Sequence, residues 1–314
     1  MDKRIARNTL LSVSCLALLA LLSCGREIPE TGRETAKESA PSRREKPAGK
    51  TSTAKDTAKV AEKAAVDKKV EAKDKKLPLA KFDYSWSDSK DIPDIVIVID
   101  DFGNSTALLE DFAKLPSEVV FAVLPDLSAT TRAGQVASQY GHEVLLHVPM
   151  QASGGENPGA RYIKTSSTRE EIAELLSAFK SQLPMAIGVN NHMGSGVTAN
   201  RETTELLLKE LHSRRLFFLD SYTSSSSTGP SLARSLGYPA LKRDIFLDVP
   251  DNSDATLAAK ISSLSKYKGR REPVVIITHC HNRAKLDALQ KFITQIQGMG
   301  LRLTTISRAR NLAA

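Results

Sequence analysis

An α/β barrel of seven to eight parallel strands is the fold that the 314-residue sequence predicts. Two observations predict it. Short β-branched runs alternate with amphipathic segments from residue 94 onward, the pattern of parallel strands covered by helices. The alternation repeats seven or eight times over about 220 residues with no internal sequence repeat, which favours a closed barrel over a wide open sheet.

Taken in order, the strand candidates are 95–99, 119–123, 143–147, 185–189, 216–219, 240–246, 274–278 and 302–305. The helical candidates are 106–114, 129–140, 168–181, 201–213, 230–236, 255–266 and 283–298. The fullest capping signal is at Thr168, with Glu171 three residues on, the spacing of a capping box.

Two segments precede this domain. Residues 1–24 begin with Lys3, Arg4 and Arg7, continue through an apolar run and end "LLSC", a Sec-type export signal too short for a comfortable membrane span. That ending resembles a bacterial lipobox, which implies lipidation of Cys24 and a membrane-anchored lipoprotein on the periplasmic side of the cell envelope. Residues 25–81 are rich in Lys, Ala, Glu, Thr and Ser and contain no aromatic residue. Such a segment buries too little apolar surface to offset its ordering entropy and reads as a disordered tether.

The formal charge of +8 belongs to these leading segments, because residues 82–314 hold 25 basic and 25 acidic side chains. The basic isoelectric point is therefore no argument for nucleic-acid binding. Of three cysteines, only Cys280 falls in the domain, so no disulfide can form within it and its core must suffice.

In parallel α/β folds the reactive groups gather where strands end. The run "IVIVIDDFGNS" ends in two adjacent carboxylates, Asp100 and Asp101. Later runs end in His147; in Asn190, Asn191 and His192; in Asp220; near Asp244 and Asp248; and in His279, Cys280 and His281. Four of the six histidines thus stand at predicted strand ends. Aspartate with imidazole suits a divalent metal, zinc before magnesium or calcium. Of two adjacent aspartates, one can bind the metal and the other accept a proton from its water.

Each motif also has a plainer reading. The Asp pair suits a turn and helix cap, and His147 suits a hydrogen-bonded core position. "THCHNR" suits metal ligands, a catalytic acid or a helix start capped by Asn282. Cys280 is either a soft ligand or a core side chain, and "SYTSSSSTGP" is a polar loop before it is a nucleophile. No Gly-x-Ser-x-Gly and no phosphate-cradling glycine loop is present.

Together "VIVIDDFG", "GHEVLLHVPMQ", "NPGA", "GVNNHMGS", "FFLDS", "RDIFLD" and "THCH" resemble the divergent polysaccharide deacetylases, a branch of the NodB-homology carbohydrate deacetylases. The resemblance spans residues 94–307 and implies a distorted (β/α) barrel. It implies Asp100 as catalytic base, Asp101, His147 and His192 as metal ligands, and His279 as the acid that protonates the leaving amine. His281 stands as an alternative ligand, and Asn190 or Asn191 as the oxyanion's stabiliser. Gln151 occupies the place of the second metal histidine of ordinary deacetylases, with His192 its substitute, and Thr278 stands where glycine is expected. The implied activity is zinc-dependent N-deacetylation of peptidoglycan or another envelope polysaccharide. The alternative is a barrel that keeps the pocket without turnover, a glycan-binding or envelope-organising lipoprotein.

Overall fold

The computed structural model describes residues 91–310. The signal segment, Cys24, the tether and residues 82–90 lie outside the described residues. No helix among the described residues is long and apolar enough to cross a membrane.

Strand β1 (Ile95–Phe102) is followed by α1 (Leu109–Ala113), β2 (Val120–Val123), α2 (Thr130–Gln139), β3 (Val144–Met150) and α3 (Arg169–Gln182). Next come β4 (Gly188–Met193), α4 (Ser195–Ala199), α5 (Arg201–Ser213), β5 (Phe217–Asp220) and α6 (Gly229–Ser235). The chain ends with β6 (Ala240–Lys242), β7 (Ile245–Phe246), α7 (Asp254–Ser263), β8 (Val274–His279), α8 (Arg283–Gly298) and α9 (Ile306–Arg310). All pairings are parallel, in the order β6-β5-β4-β3-β2-β1-β8-β7.

The predicted strand 240–246 divides in two, and its halves lie at opposite edges of the sheet. Arg243 donates its backbone N–H to Asp220 on β5, and the next residue, Asp244, donates to Val275 on β8. Consecutive Cα atoms are about 3.8 Å apart, so the sheet's edges meet and the sheet curls into a barrel with one seam. Both seam strands are very short, which leaves little exposed edge to recruit another strand.

Side chains alternate across this wall. Val96, Val98, Val120, Ala122, Leu145, Phe217, Leu219, Leu241, Val275 and Ile277 fill the barrel. The intervening residues, such as Ile97, Phe121, Leu146, Val189 and Ile276, pack against the helices in the outer core. The predicted strand at 302–305 proves to be a single bridge, Leu303 to Ile95, held by backbone bonds between Ile95 and both Arg302 and Thr304. It delivers α9 to the barrel floor, where Ile306 and Ala309 join the inner core. At Thr168 the capping box forms in full: its side chain accepts from Glu171 N–H at 3.2 Å, and Glu171 Oε2 accepts from Thr168 N–H at 2.9 Å.

Candidate active site

Asp100 and Asp101 would face opposite sides of a regular strand. They do not, because β1 carries a bulge: Ile99 pairs with Phe121, yet Phe102 pairs with Val123, so one extra residue is taken up between them. Asp101 absorbs it at φ +71°, a conformation Asp tolerates better than most side chains. Both carboxylates then stand with the histidines of β3 and β4. Asp100 and His147 lie within their strands rather than at the tips, because the upper barrel is filled by polar side chains instead of aliphatic ones.

Asp101 Oδ1, His147 Nε2 and His192 Nδ1 form a triangle. Its sides are 3.2 Å from Asp101 to His147, 3.0 Å from Asp101 to His192 and 3.2 Å between the histidines. Asp101 Oδ1 is buried and makes no hydrogen bond although both imidazole nitrogens are near, because neither approaches with hydrogen-bond geometry. Three donor atoms of these types so close together suit a divalent cation. Metal–ligand bonds near 2.1 Å give ligand separations of about 3.4 Å in a tetrahedron and about 3.0 Å in an octahedron. The triangle accommodates either geometry.

Surrounding groups orient the three. His147 Nδ1 lies 2.9 Å from Asn190 Oδ1, and Asn190 Nδ2 donates to Asp100 Oδ1 at 2.8 Å and Ser221 Oγ at 3.3 Å. An amide held this way requires the proton of a neutral His147 on Nδ1, leaving Nε2 free to ligate. Asp101 Oδ2 accepts from His281 Nε2 at 2.6 Å. His281 therefore stands outside the triangle, bonded to the second oxygen of the Asp101 carboxylate. Gln151 turns away as well: its Oε1 accepts from Thr165 N–H and Oγ1 at 3.0 and 3.3 Å.

Burial, the largest influence on Asp100, pushes its carboxyl above the usual range against the opposing pull of His147 and His279. Burial also acts to raise Asp101, but the close imidazoles of His147 and His192, with the hydrogen bond from His281, hold it far below that range. For His147, burial works against protonation, and the two aspartates override it, raising the imidazole to about 9.

His279 stands beside Asp100 in the β1–β8 register and places Nδ1 2.8 Å from Asp248 Oδ2. Lys285 bonds the same oxygen. Burial opposes protonation of His279, and Asp248 reverses that, so its basicity rises. Asp248 is itself brought to about 2: burial would raise it, and His279 and Lys285 prevail. In the sequence Asp248 is only a carboxylate after a short apolar run. Its role comes from register, because Phe246 pairs with Ile277 and carries Asp248 alongside His279.

Asn191, the expected stabiliser of an oxyanion, has its amide engaged by backbone. Its Nδ2 donates to Met193 O at 2.6 Å and its Oδ1 accepts from Ser221 N–H at 2.9 Å, so both ends of the amide are occupied by backbone. It faces away from the triangle because strand alternation gives the inward positions to Asn190 and His192. Cys280 packs against the outer core, its thiol pushed up to about 12 chiefly by burial, which disfavours the thiolate. The serine loop is polar scaffolding: Ser227 Oγ donates to Asp220 Oδ2 at 2.5 Å, and Tyr222 N–H bonds Asp220 Oδ1 at 2.7 Å.

A parallel α/β barrel with an Asp–His–His cluster in its polar upper part, toward the C-terminal side of its strands, defines a barrel protein with a candidate metal centre at its mouth. The chain belongs to the divergent polysaccharide deacetylase family, whose model matches residues 97–309. It is similar to the uncharacterized protein YibQ of Escherichia coli, 30% identical over 199 residues that make up 63% of this chain and 62% of that protein. A Haemophilus influenzae protein, also uncharacterized, is 30% identical over 198 residues, 62% of this chain and 68% of that one. The chain thus spans about two thirds of the length of these relatives. Among solved structures, the uncharacterized protein ATU2773 of Agrobacterium tumefaciens shares the fold, with a TM-score of 0.61 at 22% identity over 70% of this chain and 90% of that chain.

Proposed function

We propose that the protein is a metal-dependent hydrolase that removes N-acetyl groups from a polysaccharide of the cell envelope, peptidoglycan included. The proposal includes anchoring through lipidated Cys24 on the periplasmic side and zinc as the metal. The observation that carries the reading is the placement of a buried base candidate and a carboxylate-held imidazole at one three-ligand site. Asp100 Oδ2 lies 3.7 Å from His147 Nε2, and His279 stands across the β1–β8 ladder with its Nδ1 on Asp248.

A divalent cation held by Asp101, His147 and His192 would supply Lewis acidity toward the acetamide carbonyl and its attacking water. Asp100, with a carboxyl raised by burial, is suited to accept the water's proton. Asp248 holds His279 by Nδ1 and raises its basicity against the opposing effect of burial, which suits the imidazole to give its Nε2 proton to the departing amine. Asn190 fixes both Asp100 and the tautomer of His147.

The second reading, glycan binding without turnover, draws on Gln151 in place of a ligand histidine. Metal content and acetate release from N-acetylated glycan oligomers separate the two. About one metal per chain, lost in His147→Ala and His192→Ala, together with acetate release that Asp100→Asn abolishes, is the result expected of the hydrolase. A full complement of metal with glycan binding and no acetate release would establish the second reading. Failure to take up zinc at neutral pH would sink the mechanism.

A further inference from the structure

Beside the barrel seam, a cavity of about 540 Å³ opens between β7 and α7. Arg243, Phe246, Lys260, Lys266 and Tyr267 are among the residues that line it. It joins the candidate active site through stacked side chains. The His279 ring packs on Phe246 with centroids 5.8 Å apart, and the Arg243 guanidinium lies 3.6 Å from the Phe246 centroid. The cavity therefore begins one ring away from the proposed acid.

Its charge is positive, and its basic side chains make no ion pair with a carboxylate among the described residues, although Asp220, Asp244 and Asp100 act on Arg243 from a distance. Arg243 is anchored by two neutral acceptors, Ser221 O at 2.7 Å from Nε and Tyr222 O at 2.6 Å from Nη2, which hold the guanidinium in place while its charge persists. Its Nη1 makes no hydrogen bond among the described residues. Lys260 and Lys266 likewise make no ion pair there. The acidic side chain in the wall, Asp244, is neutralised by a two-pronged bond from Arg270 at 2.7 and 2.6 Å. Burial lowers the basicity of Lys260, and the like charge of Arg243 adds to this against the pull of Asp248, a cost that a bound anion would relieve.

We propose that this cavity is a subsite for an anionic substituent, carboxylate or phosphate, on a sugar next to the one that loses its acetyl group, which makes an acidic glycan the preferred substrate. A fixed guanidinium with a free N–H face beside two ammonium groups is the donor set that recognises such groups through charge-assisted hydrogen bonds. The volume is in the range of pockets that hold small ligands. The aromatic rings of Phe246 and Tyr267 provide apolar surface for a sugar face. The inference rests on the glycan reading above and adds the substrate class to it.

Calorimetric titration of the metal-loaded full chain tests it with three probes: neutral chitotetraose, a tetrasaccharide alternating N-acetylglucosamine with glucuronic acid, and chitobiose 6-phosphate. At least one anionic probe is expected to bind roughly tenfold more tightly than chitotetraose. That advantage should shrink as salt is raised and disappear in Lys260→Met and Lys266→Met, while chitotetraose binding holds. An advantage confined to the uronate or to the phosphate identifies which anion is read, and either supports the site. Chitotetraose binding and turnover with no anionic advantage overturns the subsite and leaves the hydrolase standing. An advantage that survives both lysine substitutions also overturns it. No binding and no turnover of any probe overturns both readings.

Discussion

Asp101 holds a left-handed backbone conformation at a bulge, and this re-aims its carboxylate from the helix layer into the barrel mouth. Its Oδ1 then meets two imidazole nitrogens with no hydrogen bond to satisfy it, a position that either a proton on His147 or a cation resolves. His147, raised to about 9, is charged at neutral pH without metal and must be neutral to ligate. Metal binding at neutral pH is therefore expected to release close to one proton, and affinity to climb with pH until about 9. Calorimetry in buffers of different ionisation heats reads this directly, and heats independent of the buffer would refute it. The same raised basicity adds to metal-free stability fully below the ordinary imidazole value of 6.5, and that contribution is lost as pH rises through about 9. At Asp248, substitution by Asn leaves His279 without its charged partner. A fall in kcat of about 100-fold with KM little changed is expected, since positioned acids contribute on that order. Equal kcat in Asp248→Asn would remove His279 as the acid.

At the scale of elements, β4 and β5 approach so closely that residue 188 has no room for a side chain. A Cβ there would lie 2.7 Å from Phe217 O and 3.0 Å from Phe217 Cβ. Gly188→Ala must push the strands apart just below Asn190 and His192. A loss of about 2 kcal/mol in urea unfolding is expected, with weaker metal binding as a second effect. Unchanged stability would mean the strand pair yields easily. The helices and most strands were legible from apolar periodicity and from the Thr168–Glu171 pair, because those signals are local. The split of 240–246 was not, since "ALKRDIF" is one continuous strand-like run. Its halves part company only because each pairs with a different neighbour, Asp220 accepting from Arg243 and Val275 from Asp244.

Across the whole molecule, the barrel is polar at its mouth and closed by apolar packing at its floor. Ile306, fully buried, seals the inner core from below together with Ala309. Ile306→Ala is expected to cost about 2–5 kcal/mol, seen as a lowered denaturant midpoint. An unshifted midpoint would show that α9 is dispensable to the core. The sequence by itself determined the α/β barrel, the neutrality of the domain, and the set of aspartates and histidines near the strand ends, because composition and periodicity are properties of the chain read in order. It also marked Asn191 and His281 as candidates, with Asn190 an alternative to Asn191 and Asp248 only a carboxylate near a strand end. Tertiary structure alone decided among them. Which side chains share a point depends on register between strands distant in sequence and on one bulge in β1, and neither leaves a local signature in the residues that form it.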